Sequence, residues 1–141
     1  MTMVFLEKAK LLLSKGNCTC VLCNKETVLT DNRRGIRPLL DLLESNTDVA
    51  GYAAADKVVG KAAAYLYCLL KIDSLYAGVI SKPALEVLRQ QGIFVEYGTL
   101  VPAIQNRTGD GFCPMESAVL NIDTADAALP ALYHALEQLT K

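Results

Sequence analysis

With 141 residues and a net charge of −1, from 14 Lys and Arg against 15 Asp and Glu, the chain is the size of one domain. Hydrophobic residues make up 52% and charged residues 21%, a balance that supports a buried core and excludes a disordered chain. No basic tail is present for nonspecific nucleic-acid binding, and no apolar run reaches the roughly 20 residues of a membrane span.

Phe5, Ala9, Leu12 and Leu13 recur at helical spacing, so Thr2–Lys15 reads as an amphipathic helix ended by Gly16-Asn17. Glu7, Lys8 and Lys10 interrupt the apolar stretch that a secretion signal requires, and the chain is expected to be cytoplasmic with its five cysteines reduced. Cys18–Cys23 and Thr27–Thr30 are β-prone runs around Asn24-Lys25-Glu26, which predicts a hairpin. Arg37–Ser45 is a short helix with Pro38 in its first turn. Val49–Ala55 reads as a buried strand that runs straight into a helix over Asp56–Leu70, whose stripe is Val58, Ala62, Leu66 and Leu69.

Ser74–Ile80 is a strand, Lys82–Gln91 a helix and Ile93–Tyr97 a strand. Pro102, Asn106, Thr108, Gly109, Asp110 and Gly111 mark a loop. Phe112 to Glu116 opens a short helix with Cys113 at its N-cap, and Leu129–Lys141 is a final helix. Helix, hairpin, then alternating helix and strand predicts a three-layer α/β/α sandwich around a mixed five-stranded sheet.

The segments AADKVVGKAAAYLY, LYAGVISKPALEVL and GFCPMESAV are similar to those of an uncharacterised family, the domain of unknown function numbered 1893. The order of elements over residues 3–97 resembles the cytidine-deaminase-like fold. The resemblance implies one deaminase-like domain over 1–141 with a helical extension from about 98, and it supplies no activity. Zinc deaminases carry His-x-Glu or Cys-x-Glu, then Pro-Cys-x-x-Cys, at two helix starts. Here the corresponding places fall near Arg33–Arg37 and at Asp56–Gly60, without a ligand or catalytic Glu, so zinc-hydroxide deamination is not expected.

Cys18-x-Cys20-x-x-Cys23 has a metal-like spacing, but on a strand Cys18 and Cys20 face one way and Cys23 the other. No metal and no cofactor are expected. Gly60-Lys61 lacks the residues of a phosphate loop, and His134, the one histidine, forms no local motif with Cys113. The implied topology would set Arg33, Arg34 and Arg37 opposite Asp56 and Lys57 at two helix starts. Guanidinium forks and backbone donors there suit an anion.

The expected function is therefore binding of a nucleotide-like or ADP-ribose-like molecule. Arg33, Arg34, Arg37 and Lys57 would hold phosphate, Asp56 would accept from a ribose or base edge, and Cys113 and Glu116 would close the site. Two alternatives stay open. One is a metal-free hydrolase or transferase using Cys113 or Asp56; the other is an interaction module that pairs with another copy as a homo-oligomer.

Overall fold

The computed structural model describes residues 2–33, 35–104 and 113–139. Its elements in chain order are α1 Thr2–Lys15, β1 Cys20–Cys23, β2 Val28–Asp31, α2 Arg37–Glu44, β3 Ala53–Val59 and α3 Lys61–Leu70. They continue as β4 Ser74–Ser81, α4 Lys82–Gln90, β5 Phe94–Val101, α5 Pro114–Ala118 and α6 Ala125–Leu139. The five strands form one sheet in the order β2-β1-β3-β4-β5. β1 runs antiparallel to both β2 and β3, while β3, β4 and β5 are parallel, so the sheet is mixed as expected.

The hairpin forms because Asn24 closes its turn: its side-chain oxygen accepts from Glu26 N at 3.0 Å and Thr27 N at 2.7 Å. α1 packs on β1, β3 and β4. There Ala9 and Leu13 meet Val21, Cys23 and Ala55 in a small apolar cluster. The opposite face carries α2, α3 and α4. Tyr67 and Leu66 of α3, Leu39 and Leu40 of α2 and Leu88 of α4 are fully buried or nearly so in one larger core.

Burying each such side chain contributes roughly 1.5–3 kcal/mol. α3 is apolar almost all round because α2, α4 and α6 surround it, and its Ala62-Ala63-Ala64 run permits close approach. α4 starts at a buried N-cap, Ser81, whose hydroxyl accepts from Ala84 N at 3.2 Å.

One element boundary alters the site. The expectation that Asp56 opens a helix is corrected, because Asp56, Lys57, Val58 and Val59 continue the strand. β4 claims them, with Asp56 opposite Ala77, Val58 opposite Val79 and Val59 opposite Ile80. The helix begins only at Lys61, after Gly60. β5 likewise extends past Tyr97 to Val101 by pairing with β4. α6 starts a turn earlier than Leu129, where Thr124 Oγ1 accepts from Ala127 N at 3.2 Å, and Pro130 lies inside it. The expected loop over 106–111 lies outside the described residues.

Candidate functional site

Asp31 of β2, Cys20 of β1 and Asp56 of β3 stand in one row across the sheet. Paired residues in a ladder point to the same face, here the one that carries α2 and α3. Asp56 is half-buried, with one carboxylate oxygen turned toward α3 and the other toward the exposed side. Tyr67 OH donates to Asp56 Oδ2 at 2.7 Å and lies 3.3 Å from Cys20 Sγ. The second oxygen, Oδ1, accepts a longer bond of 3.4 Å from Val58 N on the exposed side. No ammonium or guanidinium group pairs with Asp56 among the described residues. Burial therefore raises its pKa to about 6, against the smaller opposing effect of the Tyr67 bond.

Beside the Asp31 and Cys20 end of this row, and not lined by Asp56, lies a cleft of about 130 Å³ between the hairpin and α2. Cys20, Leu22 and Leu42 line it, and Asp31, Arg33 and Asp41 carry its charge. Arg33 forks onto Asp31, with bonds of 3.0 and 2.6 Å, and reaches Asp41 at 2.7 Å. Arg37 bonds Asp41 at 3.1 Å and Glu44 at 2.9 Å. Both guanidinium groups thus have carboxylate partners within the protein. Arg33 holds the Asp31 carboxyl below its usual range, and Arg33 followed by Arg37 does the same for Asp41. Arg34 lies outside the described residues.

Lys57 departs from the expected arrangement. As the strand neighbour of Asp56 it projects to the other face, into a groove beside α1. The pairing of Asp56 and Lys57 at one helix start is corrected accordingly: the sheet separates them.

The N-terminus of α3 is filled from within the chain. Glu116 of α5 accepts from Lys61 N at 2.7 Å through one carboxylate oxygen and from Ala62 N at 2.8 Å through the other. Lys61 Nζ donates to Leu120 O at 3.1 Å, and Tyr65 OH donates to Ile122 O at 2.5 Å. The stretch from Glu116 to Ile122 is held along the first turns of α3 by these four bonds. Gly60 makes room: a Cβ there would lie 2.5 Å from the Glu116 carboxyl carbon. Its φ of −98° is open to any residue, so space alone demands glycine. Glu116, expected to close the ligand site, sits in the first turn of α5, and its carboxylate bonds go to the start of α3. No local signal marks this contact.

The cysteines divide differently from the expected pattern. Cys20 faces the α2–α3 side, while Cys18, which precedes β1, joins Cys23 on the α1 side. Among the described residues no group of three His, Cys, Asp or Glu side chains could hold a metal ion. Around the start of α3, the stretch Gly60–Ala64 contains no Cys or His.

Cys113 is the N-cap of α5 as expected, half-buried, with Ser117 N donating to its carbonyl at 3.0 Å. Cys18, Cys20 and Cys23 are buried; burial raises the thiol pKa of Cys20 and of Cys23, and that of Cys68 to about 11. Brief alkylation followed by peptide mapping should label Cys113 ahead of the other four, because it is half-buried whereas Cys18, Cys20 and Cys23 are buried and burial holds the Cys68 thiol protonated. Equal labelling at Cys20 or Cys23 would show that these strands open readily. His134 is exposed on α6.

No helix among the described residues is long and apolar enough to cross a membrane. No curated protein matches the chain. The crystal structure of a DUF1893 family protein, TM1506, from Thermotoga maritima is similar over 98% of this chain and 92% of that one, at 26% identity and a TM-score of 0.85. A dCMP deaminase from the cyanophage S-TIM5 is similar over 68% of this chain and 95% of its own, at 13% identity and a TM-score of 0.43. A Thermotoga maritima diaminohydroxyphosphoribosylaminopyrimidine deaminase/5-amino-6-(5-phosphoribosylamino)uracil reductase matches at 16% identity and a TM-score of 0.43. That match spans 67% of this chain and 35% of the larger protein. The family model of TM1506, a domain of unknown function (DUF1893), matches residues 8–136. With nearly all of its length inside that match, the chain belongs to the DUF1893 family.

Proposed function

We propose that this domain binds a small nucleotide-like molecule, base or nucleoside end inward, at the cleft between the hairpin and α2, and that its hydrogen-bond donors reach past Cys20, which lines the cleft, to Asp56, the next residue in the row. The observation that carries the reading is the Asp56 carboxyl group itself. It is half-buried, it lacks a cation among the described residues, and on its exposed side it is met only by backbone, Val58 N at 3.4 Å and the neighbouring Lys57. A carboxylate in such a setting is costly unless a partner supplies donors. A base edge or a ribose supplies them. At about 130 Å³ the cleft is smaller than the roughly 300–1,000 Å³ of drug-sized sites, which favours a single ring over a whole ADP-ribose. Arg33 and Arg37 would meet phosphate only by leaving Asp31, Asp41 and Glu44.

Thermal denaturation against a panel of nucleobases, nucleosides, nucleoside monophosphates and ADP-ribose tests this. A ligand at a hundred times its Kd should add about 2.7 kcal/mol of stability. Bases or nucleosides should stabilise, their phosphates should add little, and Asp56→Asn should abolish the shift. No stabilisation anywhere in the panel, or full binding by Asp56→Asn, would overturn the proposal.

An enzymatic reading has one observation in its favour. A carboxyl group with a pKa of about 6 is poised to take and return a proton near neutrality, as a metal-free general base would. Consumption of a bound compound, lost in Asp56→Asn, would select it over simple binding.

A further inference from the structure

A second concave site lies on the opposite face of the sheet and is independent of the Asp56 reading. α1 crosses β1, β3 and β4 on that face and leaves an open groove of about 680 Å³ beside it. Gly78 and Val79 of β4 and the Tyr76 ring lie on its sheet side, and Leu11 and Ser14 of α1 on the other. Gly78 keeps this stretch bare, because a Cβ there would lie 2.8 Å from Lys57 O. Leu11 is 53% exposed at the groove, and the half-buried Tyr76 and Val79 lie across from it, so the three give the groove its apolar part.

Charge in the groove comes from Glu7, Lys10 and Lys57. Lys10 is committed: it bonds Glu96, lies 3.6 Å from Glu7 and stacks 5.1 Å over the Tyr76 ring. Lys57 has no hydrogen bond or ion pair of its ammonium group among the described residues, and it is exposed. Among the described residues the groove therefore offers an apolar slot with one uncommitted cation, Lys57, at its edge. Glu7, 65% exposed on its side chain, would repel a dianion more than a monoanion.

We propose that this groove binds a small amphipathic carboxylate, its apolar body against Leu11, Tyr76 and Val79 and its carboxylate on Lys57. A methylene or aromatic body removes Leu11 from water, and the ammonium group supplies a charge-assisted hydrogen bond.

The test is ligand-observed NMR and calorimetric titration of the whole chain with decanoate, phenylacetate and indole-3-acetate, their neutral amides, and phenyl phosphate. Binding of at least one acid is expected, with the amides and phenyl phosphate weaker. Lys57→Ala should weaken the acids at least tenfold and leave the amides unchanged. Lys57 is exposed, so this variant should fold, and Leu11→Asp provides a second variant that should lose the acids through the apolar wall. Asp56→Asn should leave acid binding intact, which separates this site from the nucleoside cleft. Failure of every acid to bind at millimolar concentration would overturn the proposal. So would equal affinity for acids and amides, tighter binding of phenyl phosphate, or unchanged binding by Lys57→Ala.

Discussion

Asp56→Asn should stabilise the protein at neutral pH, by up to about 3 kcal/mol. Burial raises the carboxyl pKa from 3.8 to about 6, and each tenfold change in acid strength corresponds to about 1.4 kcal/mol. The folded pKa lies above the unfolded one, so this group's contribution to stability is full below pH 3.8. It is lost as the pH rises through about 6. Asparagine cannot ionise and still offers an oxygen to Tyr67 OH, so it keeps the bond and escapes the cost. Asp31 and Asp41 have lowered pKa values and act in the opposite sense, losing stability as the pH falls.

The informative quantity is therefore the difference between the two proteins, measured by denaturant unfolding from pH 4 to pH 8. The gap should open with rising pH and level off above about 7. A flat difference, or a destabilised Asn variant, would mean that the carboxylate is well solvated. A variant that is more stable yet unable to bind nucleosides would identify Asp56 as a residue kept for its site rather than for the fold.

Glu116→Ala should cost about 3 kcal/mol or more. It removes two charge-assisted bonds, at 2.7 and 2.8 Å, from the first backbone N–H groups of α3. Each such bond contributes roughly 1.5–3 kcal/mol, and the helix dipole adds to the loss. Gly60→Ala should cost a similar amount for a different reason, since its Cβ would collide with the same carboxylate.

The double variant separates these causes. Once Glu116 is shortened, a methyl group at position 60 has room, so the two losses should not add. Glu116→Gln should recover part of the stability, because one carbonyl oxygen can still accept. Additive losses in the double variant would place the Gly60 effect elsewhere than at this contact. Full stability of Glu116→Ala would show that water replaces the carboxylate at no cost.

Much of the fold was legible because its determinants are local. The period of Phe5, Ala9, Leu12 and Leu13 set α1, Asn24 and its neighbours set the hairpin turn, and prolines at 38, 83 and 114 marked helix starts. Cys113 as an N-cap followed from Pro114 in the same way.

The segment from Asp56 to Val59 is different. Its residues suit a helix start or a strand nearly equally, and the decision came from β4, about twenty residues later, whose backbone groups pair with it. That one choice moved Lys57 to the far face and left Asp56 beside Cys20 and Tyr67, so it also decided which residues share a site. Arg33 and Arg37 were visible as cations. Arg37 meets Asp41 and Glu44 along its own helix and Arg33 meets Asp31 two residues away, whereas the Arg33–Asp41 bridge became evident only once the hairpin and α2 were placed side by side.

Glu116 met α3 across 54 and 55 positions of sequence, a distance over which no periodic pattern or capping motif acts. Patterns of apolar and turn residues by themselves determined which segments could form helices and strands, because those energies are set within a few residues. Only the tertiary structure decided that Arg33 would bridge to Asp41, that Asp56 and Lys57 would lie on opposite faces, and which helix end would receive a carboxylate. Those energies depend on what folding brings within hydrogen-bond distance.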